Sequence, residues 1–356
     1  MHKDSASIIL MVKDKEPCCK CLQYINVQGK VSFTMRTDED ENQHFVHKSF
    51  FHLKRINPEN CSKVTSGHPP ENCRLPPSLP KSPKQKTLTL GAGFRMPRHI
   101  ILDVIDLIRD DIEPQTSRSH AIPATLQTLC ALRYYGTGNF QTVGGDIAGI
   151  SQPSVSRIVA RVSTAFSRKA TQIIRFPRAQ NEQQQIMAGF YESIQFPNTL
   201  RCVDGSLIRI KCPSVDEHVY VCRTNFHSLN IQGICDNNKK FTNLVARWPG
   251  SAHDTFIWNN CKLSEDFENG NIHGYLLGDS AYPLRPWLLT PIANPQNAAE
   301  DRYNRHHRQT RQQIEGTFGI WKLRWLCLHA YGGALMFTPD RCVRVITATA
   351  VLHNIY

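Results

Sequence analysis

The sequence predicts an α/β protein in which a helical region precedes a core of strands and helices. Apolar residues recur at three- and four-residue steps between 94 and 195, which is typical of amphipathic helices. Short apolar runs bounded by turn residues follow between 198 and 289 and indicate strands. A last helical stretch covers roughly 300 to 327 and carries its apolar residues on one face.

The length of the chain and its Pro-rich basic segment predict the domain organisation. With 356 residues, the chain is too long for one small core and suggests two or three domains. We expect a poorly structured extension over 1–88, which ends in a Pro-rich basic linker. A helical domain over 89–197 and an α/β domain over 198–356 would follow.

Charge and cysteine usage narrow the functional class. The net charge of +12 favours a polyanionic partner, with nucleic acid ahead of an acidic membrane surface. The 13 cysteines come without a signal-peptide pattern, which indicates a reducing intracellular compartment with mostly free thiols. No stretch reaches the roughly 18 apolar residues that a membrane span requires, so we expect no membrane role.

Residues 142–163 have the pattern of a helix-turn-helix. A short helix to Ala148 is followed by a turn at Gly149, an N-cap at Ser151 and a second helix from Gln152. The second helix of such a motif enters the major groove of DNA. The side chains expected to reach DNA from it are Gln152, Ser154, Arg157 and Arg161. An ordinary helical hairpin is the alternative.

Four carboxylates stand at the ends or middles of predicted elements. Asp204 lies within a predicted strand, Asp254 at a strand–helix junction, Asp279 at the carboxyl end of a strand, and Glu315 on the last helix. Ligands collect beyond the carboxyl ends of strands in sheets with α/β crossovers. Each carboxylate also has a structural interpretation, as a turn residue, a helix cap or a salt-bridge partner.

Oxygen ligands of this kind suit Mg²⁺ or Mn²⁺. Two such ions about 4 Å apart can activate a water and stabilise the leaving oxygen of a phosphodiester. Arg308, Arg311 and Lys322 fall on the same helical face as Glu315, where they would neutralise backbone phosphates. These residues therefore predict a metal-dependent site that acts on a phosphodiester.

Several ordered motifs resemble one family. They are Cys-Val-Asp-Gly at 202–205, Trp-Pro-Gly-Ser-Ala-His-Asp at 248–254, Leu-Leu-Gly-Asp-Ser-Ala-Tyr at 276–282, Ile-Glu-Gly-Thr-Phe-Gly at 314–319 and Val-Leu-His-Asn-Ile at 351–355. Together they are similar to the Harbinger transposase-derived nucleases of the PIF/Harbinger group of DDE transposases. The resemblance covers roughly 90–356.

The resemblance implies an RNase H-like DDE core, a mixed sheet flanked by helices, with divalent-metal-dependent nuclease chemistry on DNA. By position, the catalytic residues would be Asp204, Asp279 and Glu315, and these three with Asp254 would hold Mg²⁺ or Mn²⁺. It also implies a separate Myb/SANT-like nuclear partner protein and a nuclear location, for which we expect a cytoplasmic pool as well. A homo-oligomer is a further expectation.

One departure from the family pattern lies in the second strand region. The family usually places Arg-Lys there, whereas this chain has Cys-Arg-Thr-Asn at 222–225, so one DNA-facing cation is missing. Two alternatives stay open at this point. One is a catalytically silent DNA- or protein-binding module on the same fold, and the other is an RNA-directed nuclease of related fold.

Overall fold

Five helices form the first part of the structure, a computed structural model that describes residues 93–115, 121–139, 149–194 and 196–356. They are α1 (Arg98–Ile112), α2 (Ala124–Thr137), α3 (Gln152–Arg168), α4 (Ala170–Ile173) and α5 (Gln180–Ile194). The apolar steps predicted for α1 are confirmed, because Ile101, Val104, Ile105 and Ile108 are all buried. The predicted extension over 1–88 and the first helix of the predicted helix-turn-helix lie outside the described residues.

The second helix of that motif, α3, begins where the sequence places it. Ser151 is its N-cap residue, although its hydroxyl bonds Ser154 Oγ at 3.1 Å instead of a backbone N–H. The predicted inward positions Val155, Ile158, Val159 and Val162 are buried. The helix therefore presents an apolar face to the protein and leaves a polar face exposed.

The five strands form one mixed sheet in the order β3-β2-β1-β4-β5. They are β1 (Thr199–Arg209), β2 (Ser228–Cys235), β3 (Phe241–Pro249), β4 (Tyr275–Leu277) and β5 (Leu288–Leu289). The pairs β1–β2 and β2–β3 are antiparallel, and β1–β4 and β4–β5 are parallel. The short polar turn at 236–240 predicts the β2–β3 pair, whereas a long segment links β1 to β2. The chain reaches β4 through helices α6 (Asp254–Asn259) and α7 (Lys262–Glu268).

One strand prediction is wrong. The apolar run at 219–222 is one of the short runs between 198 and 289 that indicate strands, but Glu217–Tyr220 forms a 3₁₀ helix and Val221 makes only an isolated bridge to His227. The 3₁₀ helix follows Asp216, whose φ of 50° lies in the left-handed region and turns the chain. A run of four residues with a turn on each side is too short to build a ladder of its own.

Two long helices complete the fold, α8 (Ala298–Arg324) and α9 (Pro339–Ile355). Asn297 caps α8 by accepting the N–H groups of Ala299 and Glu300 at 3.0 Å. The predicted core face of the helix is confirmed: Ile314, Phe318, Trp321 and Trp325 are buried. None of the helices in the described part of the chain has both the length and the apolarity needed to cross a bilayer.

The Val-Leu-His-Asn-Ile motif at 351–355 packs against the edge strand of the sheet. Asn354 on α9 accepts the N–H of Phe241 at 2.8 Å and donates to its carbonyl oxygen at 2.6 Å. His353 makes a 2.8 Å hydrogen bond with the carbonyl of Lys239, and burial lowers the pKa of its imidazole to about 4. These contacts satisfy backbone groups at the start of the edge strand β3.

A single hydrophobic cluster joins α1, α2 and α3 to the sheet, α8 and α9. It includes Tyr135 of α2, which meets Trp325 edge-on with ring centroids 6.1 Å apart. The described residues all fall within one compact unit, Pro83–Tyr356. The predicted boundary at residue 197 therefore does not interrupt the hydrophobic core.

Candidate active site

Asp204 lies in the middle of β1, opposite Gly233 of β2. Its side chain is 15% exposed, its Oδ2 accepts from Arg311 at 2.9 Å, and its Oδ1 accepts the N–H of Gly205 at 2.9 Å. Burial raises the pKa of Asp204 to about 6, helped by the charges of Asp279 and Asp254 and opposed by Arg311. At this carboxylate the effect of burial on the pKa therefore outweighs the opposite effect of the Arg311 charge.

Asp254 is the first residue of α6, but it does not act as the N-cap. The N-cap position belongs to His253, and the carboxylate of Asp254 instead accepts from the Nδ2 of Asn230 at 2.9 Å. Burial raises the pKa of Asp254, and the charge of Asp279 adds to the effect. The capping interpretation of Asp254 is therefore wrong, and its carboxylate is available at the end of β3.

The carboxylate of Asp254 can pack against β1 because residue 205 is a glycine. A Cβ atom at position 205 would lie closer than 3.0 Å to all three atoms of the Asp254 carboxyl group. The carboxylate of Asp254 therefore rests against the backbone that immediately follows Asp204. This gives the Asp-Gly pair of the sequence a role in the site, since a larger residue would displace Asp254.

Asp279 follows β4, which lies parallel to β1 and next to it. Its Oδ1 accepts the N–H of Ala281 at 3.0 Å, so the turn role is present. Its charge also raises the pKa values of both Asp204 and Asp254. The turn role and a place in the carboxylate cluster therefore coexist in one residue.

Glu315 reaches the cluster through Arg311. The two residues are one turn apart on α8, and one Nη atom of Arg311 pairs with Glu315 while the other donates to Asp204. The Glu315 side chain is 49% exposed, in contrast to 20% for Arg311. Arg311, which the sequence assigns to backbone phosphates, is thus held between two of the predicted catalytic residues.

The donor set fits a hard divalent cation, although no three of the four carboxylates meet at a single point. Among the described residues, three ligand atoms within 4.8 Å of one another occur only at Cys212, Glu217 and His227. Burial nevertheless raises the pKa values of Asp204 and Asp254 in spite of the hydrogen bonds from Arg311 and Asn230, and the buried Asn230 Oδ1 has no partner in the described chain. Oxygen donors in this state suit Mg²⁺ or Mn²⁺.

The sequence pattern does not identify two further residues of the site. Asn230 of β2 donates to Asp254 and to the carbonyl of Ala252, both at 2.9 Å. Tyr282 is buried, and burial together with the three aspartates raises the pKa of its phenol. The alternation of β2 could have placed Asn230 on one face of the sheet, but no local pattern shows which carboxylate lies above it.

The remaining predicted cations of α8 lie in different settings. Arg308 is exposed and lines a cavity of about 800 Å³ beside Asp279, together with Arg305 and Arg311. The ammonium of Lys322 donates to the carbonyl of Leu207 at 3.1 Å, and burial lowers the pKa of Lys322 to about 8. A role in phosphate binding stays a prediction for each of them.

The predicted DNA-reading residues occupy one side of α3. Gln152, Arg157 and Arg161 are exposed, and Ser154 is half-buried. Arg157 donates to Ser154 Oγ at 3.1 Å, and Arg161 donates to Gln127 Oε1 on α2 at 2.9 Å. Contact with DNA stays a prediction for all four.

Comparison with known proteins identifies the family of the chain. Residues 203–354 match the family described as "DDE superfamily endonuclease". Proteins named "Putative nuclease HARBI1" from Mus musculus and Homo sapiens are each 39% identical over 267 residues, which is 75% of this chain and 76% of the relative. "Protein ALP1-like" of Arabidopsis thaliana is 26% identical over 291 residues, 75% of this chain and 70% of that protein.

No solved structure matches the chain significantly. The identity to the HARBI1 proteins extends over most of both chains, and the matched domain contains Asp204, Asp254, Asp279 and Glu315. The chain therefore belongs to the Harbinger transposase-derived nuclease family, within the DDE superfamily endonucleases.

Proposed function

We propose that this protein is a divalent-metal-dependent nuclease that hydrolyses phosphodiester bonds of DNA on an RNase H-like core. Asp279 follows β4, the strand next to β1, and its charge raises the pKa values of Asp204 and Asp254; this proximity of three carboxylates carries the proposal. The strand order supports the RNase H-like assignment, because three antiparallel strands are followed by two strands parallel to the first.

Asp204, Asp254, Asp279 and Glu315 would hold Mg²⁺ or Mn²⁺. When bound, such a cation lowers the pKa of a coordinated water and offsets the negative charge on the leaving oxygen. The two aspartates with raised pKa values would become fully ionised in its presence, since an opposite charge favours the carboxylate form. Asp204 and Asp279 on adjacent parallel strands form the rigid part of the site.

The chain's own residues position the substrate and the carboxylates. Asn230 orients Asp254 from the neighbouring strand, and Arg311 orients Asp204 and Glu315 from α8. Arg305 and Arg308, in the cavity beside Asp279, would bind the phosphates of the strand to be cut. The buried phenol of Tyr282 stays protonated and helps to exclude water behind the aspartates.

The substrate class follows from charge and from α3. The net charge of +12 supports a polyanion, and the exposed Gln152, Arg157 and Arg161 of α3 support duplex DNA. We further propose a nuclear location with a cytoplasmic pool and a Myb/SANT-like partner, on the family resemblance alone. A homo-oligomer belongs to the same set of proposals.

The decisive experiment is nicking of supercoiled plasmid by the full chain with Mg²⁺, with Mn²⁺ and with a chelator. We expect nicking only with a divalent cation, and we expect Asp279→Asn to abolish it. Asp103→Asn is the matched control, because Asp103 is exposed on α1, away from the site. Equal nicking by the wild type and Asp279→Asn would overturn the assignment of the site.

A second candidate function is a binding module without catalysis, and one observation favours it. The guanidinium of Arg311 already pairs with Asp204 and Glu315, so two of the four carboxylates have a counter-ion without any metal. Calorimetric titration with Mn²⁺ separates the two functions. Uptake that Asp204→Asn abolishes supports the nuclease, whereas identical heats for both proteins support the binding module.

A further inference from the structure

A second group of metal-binding side chains lies outside the carboxylate cluster, on the excursion that links β1 to β2. Cys212, Glu217 and His227 each offer one ligand atom, and these atoms all lie within 4.8 Å of one another. His227 Nε2 is 2.8 Å from Glu217 Oε1, and the Cys212 thiol hydrogen-bonds the same carboxylate. Cys212 and Glu217 are exposed and His227 is half-buried, so the group is open to solvent.

The backbone fixes the three ligands from separate segments. The N–H of Ile210 donates to the carbonyl of His227 at 3.0 Å, which ties the two ends of the excursion together. The N–H of Lys211 donates to the carbonyl of Leu335 at 2.9 Å and holds the strand end that carries Cys212. Glu217 begins the 3₁₀ helix that interrupts the excursion. The ligand atoms therefore meet because of the fold and not because they are neighbours in sequence.

The donor types distinguish this group from the carboxylate cluster. A thiolate, an imidazole nitrogen and a carboxylate oxygen form a mixed set that Zn²⁺ binds with tetrahedral geometry, whereas Mg²⁺ prefers oxygen alone. Three protein ligands leave the fourth tetrahedral position to water. We propose that Cys212, Glu217 and His227 form a Zn²⁺ site.

Zinc binding would replace the hydrogen bonds that hold the side chains of Cys212, Glu217 and His227 together without metal. The thiol of Cys212 gives up its proton on coordination, and the imidazole of His227 binds in its neutral form. When Nε2 of His227 binds the metal, the proton of the neutral ring is carried by Nδ1. Because protons and metal compete for the same atoms, the affinity for Zn²⁺ rises with pH.

The site would fix a turn that supports Asp254. The N–H of Ser251 donates to the carbonyl of Val219 at 3.1 Å, and Gly250 packs so tightly that an added Cβ would come within 2.8 Å of the Tyr220 carbonyl oxygen. The 3₁₀ helix that carries Glu217 thus contacts the segment leading to Asp254. This inference is independent of the proposed nuclease activity, because it concerns different ligands and a different ion.

Cobalt(II) is the probe for the test, since a cysteine thiolate bound to it gives a charge-transfer absorption that carboxylates do not. The full chain is titrated as wild type, Cys212→Ser, His227→Ala and the matched control His218→Ala. His218 is exposed in the same 3₁₀ helix and is not one of the three ligands. Because the chain carries other cysteines, the readout is the difference between each variant and the wild type.

We expect Cys212→Ser and His227→Ala to lose one equivalent of the thiolate band, and His218→Ala to keep it. Equal bands in the wild type and Cys212→Ser would overturn the proposal. Thermal unfolding supplies a second measurement: one equivalent of Zn²⁺ should raise the Tm of the wild type and of Asp279→Asn, but not of Cys212→Ser. An equal rise in Cys212→Ser would also overturn it.

Discussion

Arg311 donates to Asp204 Oδ2 at 2.9 Å while its other terminal nitrogen pairs with Glu315. One guanidinium on α8 thereby joins a carboxylate in the middle of β1 to a carboxylate on the helix. Both side chains of the Arg311–Asp204 pair are largely buried, with 20% and 15% of their surfaces exposed. A divalent cation at Asp204 and Glu315 would therefore compete with a cation that the protein itself provides.

Replacing Arg311 with Gln should separate the stabilisation that Arg311 gives to Asp204 from its competition with a divalent cation. Without divalent cations, we expect the free energy of unfolding to fall by about 3 kcal/mol, because Asp204 loses its largely buried counter-ion. Added Mn²⁺ should raise the Tm of the variant more than that of the wild type, because no guanidinium competes. Urea denaturation and thermal unfolding measure both, with the exposed Arg308→Gln as control. A larger Mn²⁺ effect in the wild type would contradict competition.

Asn230 should act as a positioning residue for Asp254. In Asn230→Ala, both hydrogen bonds from its amide are lost, and we expect kcat for DNA cleavage to fall by about tenfold or more with KM unchanged. The free energy of unfolding should fall by about 1–2 kcal/mol. Plasmid-nicking kinetics and urea denaturation check the two numbers, with the exposed Asn271→Ala as control. An altered KM with normal kcat would place Asn230 in substrate binding instead.

Gly205→Ala tests the packing of the Asp254 carboxylate against β1. The added methyl displaces the Asp254 carboxylate, so we expect cleavage to fall by about 100-fold while the protein stays folded. Gly319→Ala is the matched control on the exposed surface of α8, where an added Cβ meets nothing within 4 Å. This control should gain about 1 kcal/mol of stability from helix propensity. Full activity in Gly205→Ala would show that Asp254 is dispensable.

His353 should make the stability of the protein depend on pH. Its folded pKa of about 4 lies below the ordinary value of 6.5, so the neutral ring is favoured in the folded state. The resulting stability is fully present above pH 6.5 and is lost as the pH falls towards 4, by about 3 kcal/mol in total. His353→Gln should flatten this part of the profile, whereas the exposed His218→Gln should not. Urea denaturation at several pH values measures it, and parallel profiles for wild type and His353→Gln would refute it.

The sequence is most informative where the signal is local. The steps of three and four residues correctly identify the buried faces of α1, α3 and α8, because helical geometry relates neighbouring turns directly. The positions of Asp204 within a strand and of Asp279 after one follow from the same kind of local pattern. The short turn between β2 and β3 likewise predicts their antiparallel pairing.

Contacts between distant segments could not be predicted in this way. A helical projection places Lys322 beside Arg311, but it cannot show that the carbonyl of Leu207 lies over the ammonium. The same projection groups Arg311 with phosphate-binding cations, whereas the strand order brings Asp204 against it. Asp254 has an ordinary capping pattern, and only the approach of Gly205 and Asn230 shows how its carboxylate is used.

The packing of α9 has a mechanical consequence. This helix contacts both α3 and the edge strand β3, while its Asn354 is bonded directly to the strand backbone. Because α9 holds α3 against the sheet, a DNA duplex bound by Arg157 would reach Asp204 at a fixed distance from Arg157. The distance between the recognised bases and the scissile bond would then be constant, because the packing of the fold sets it.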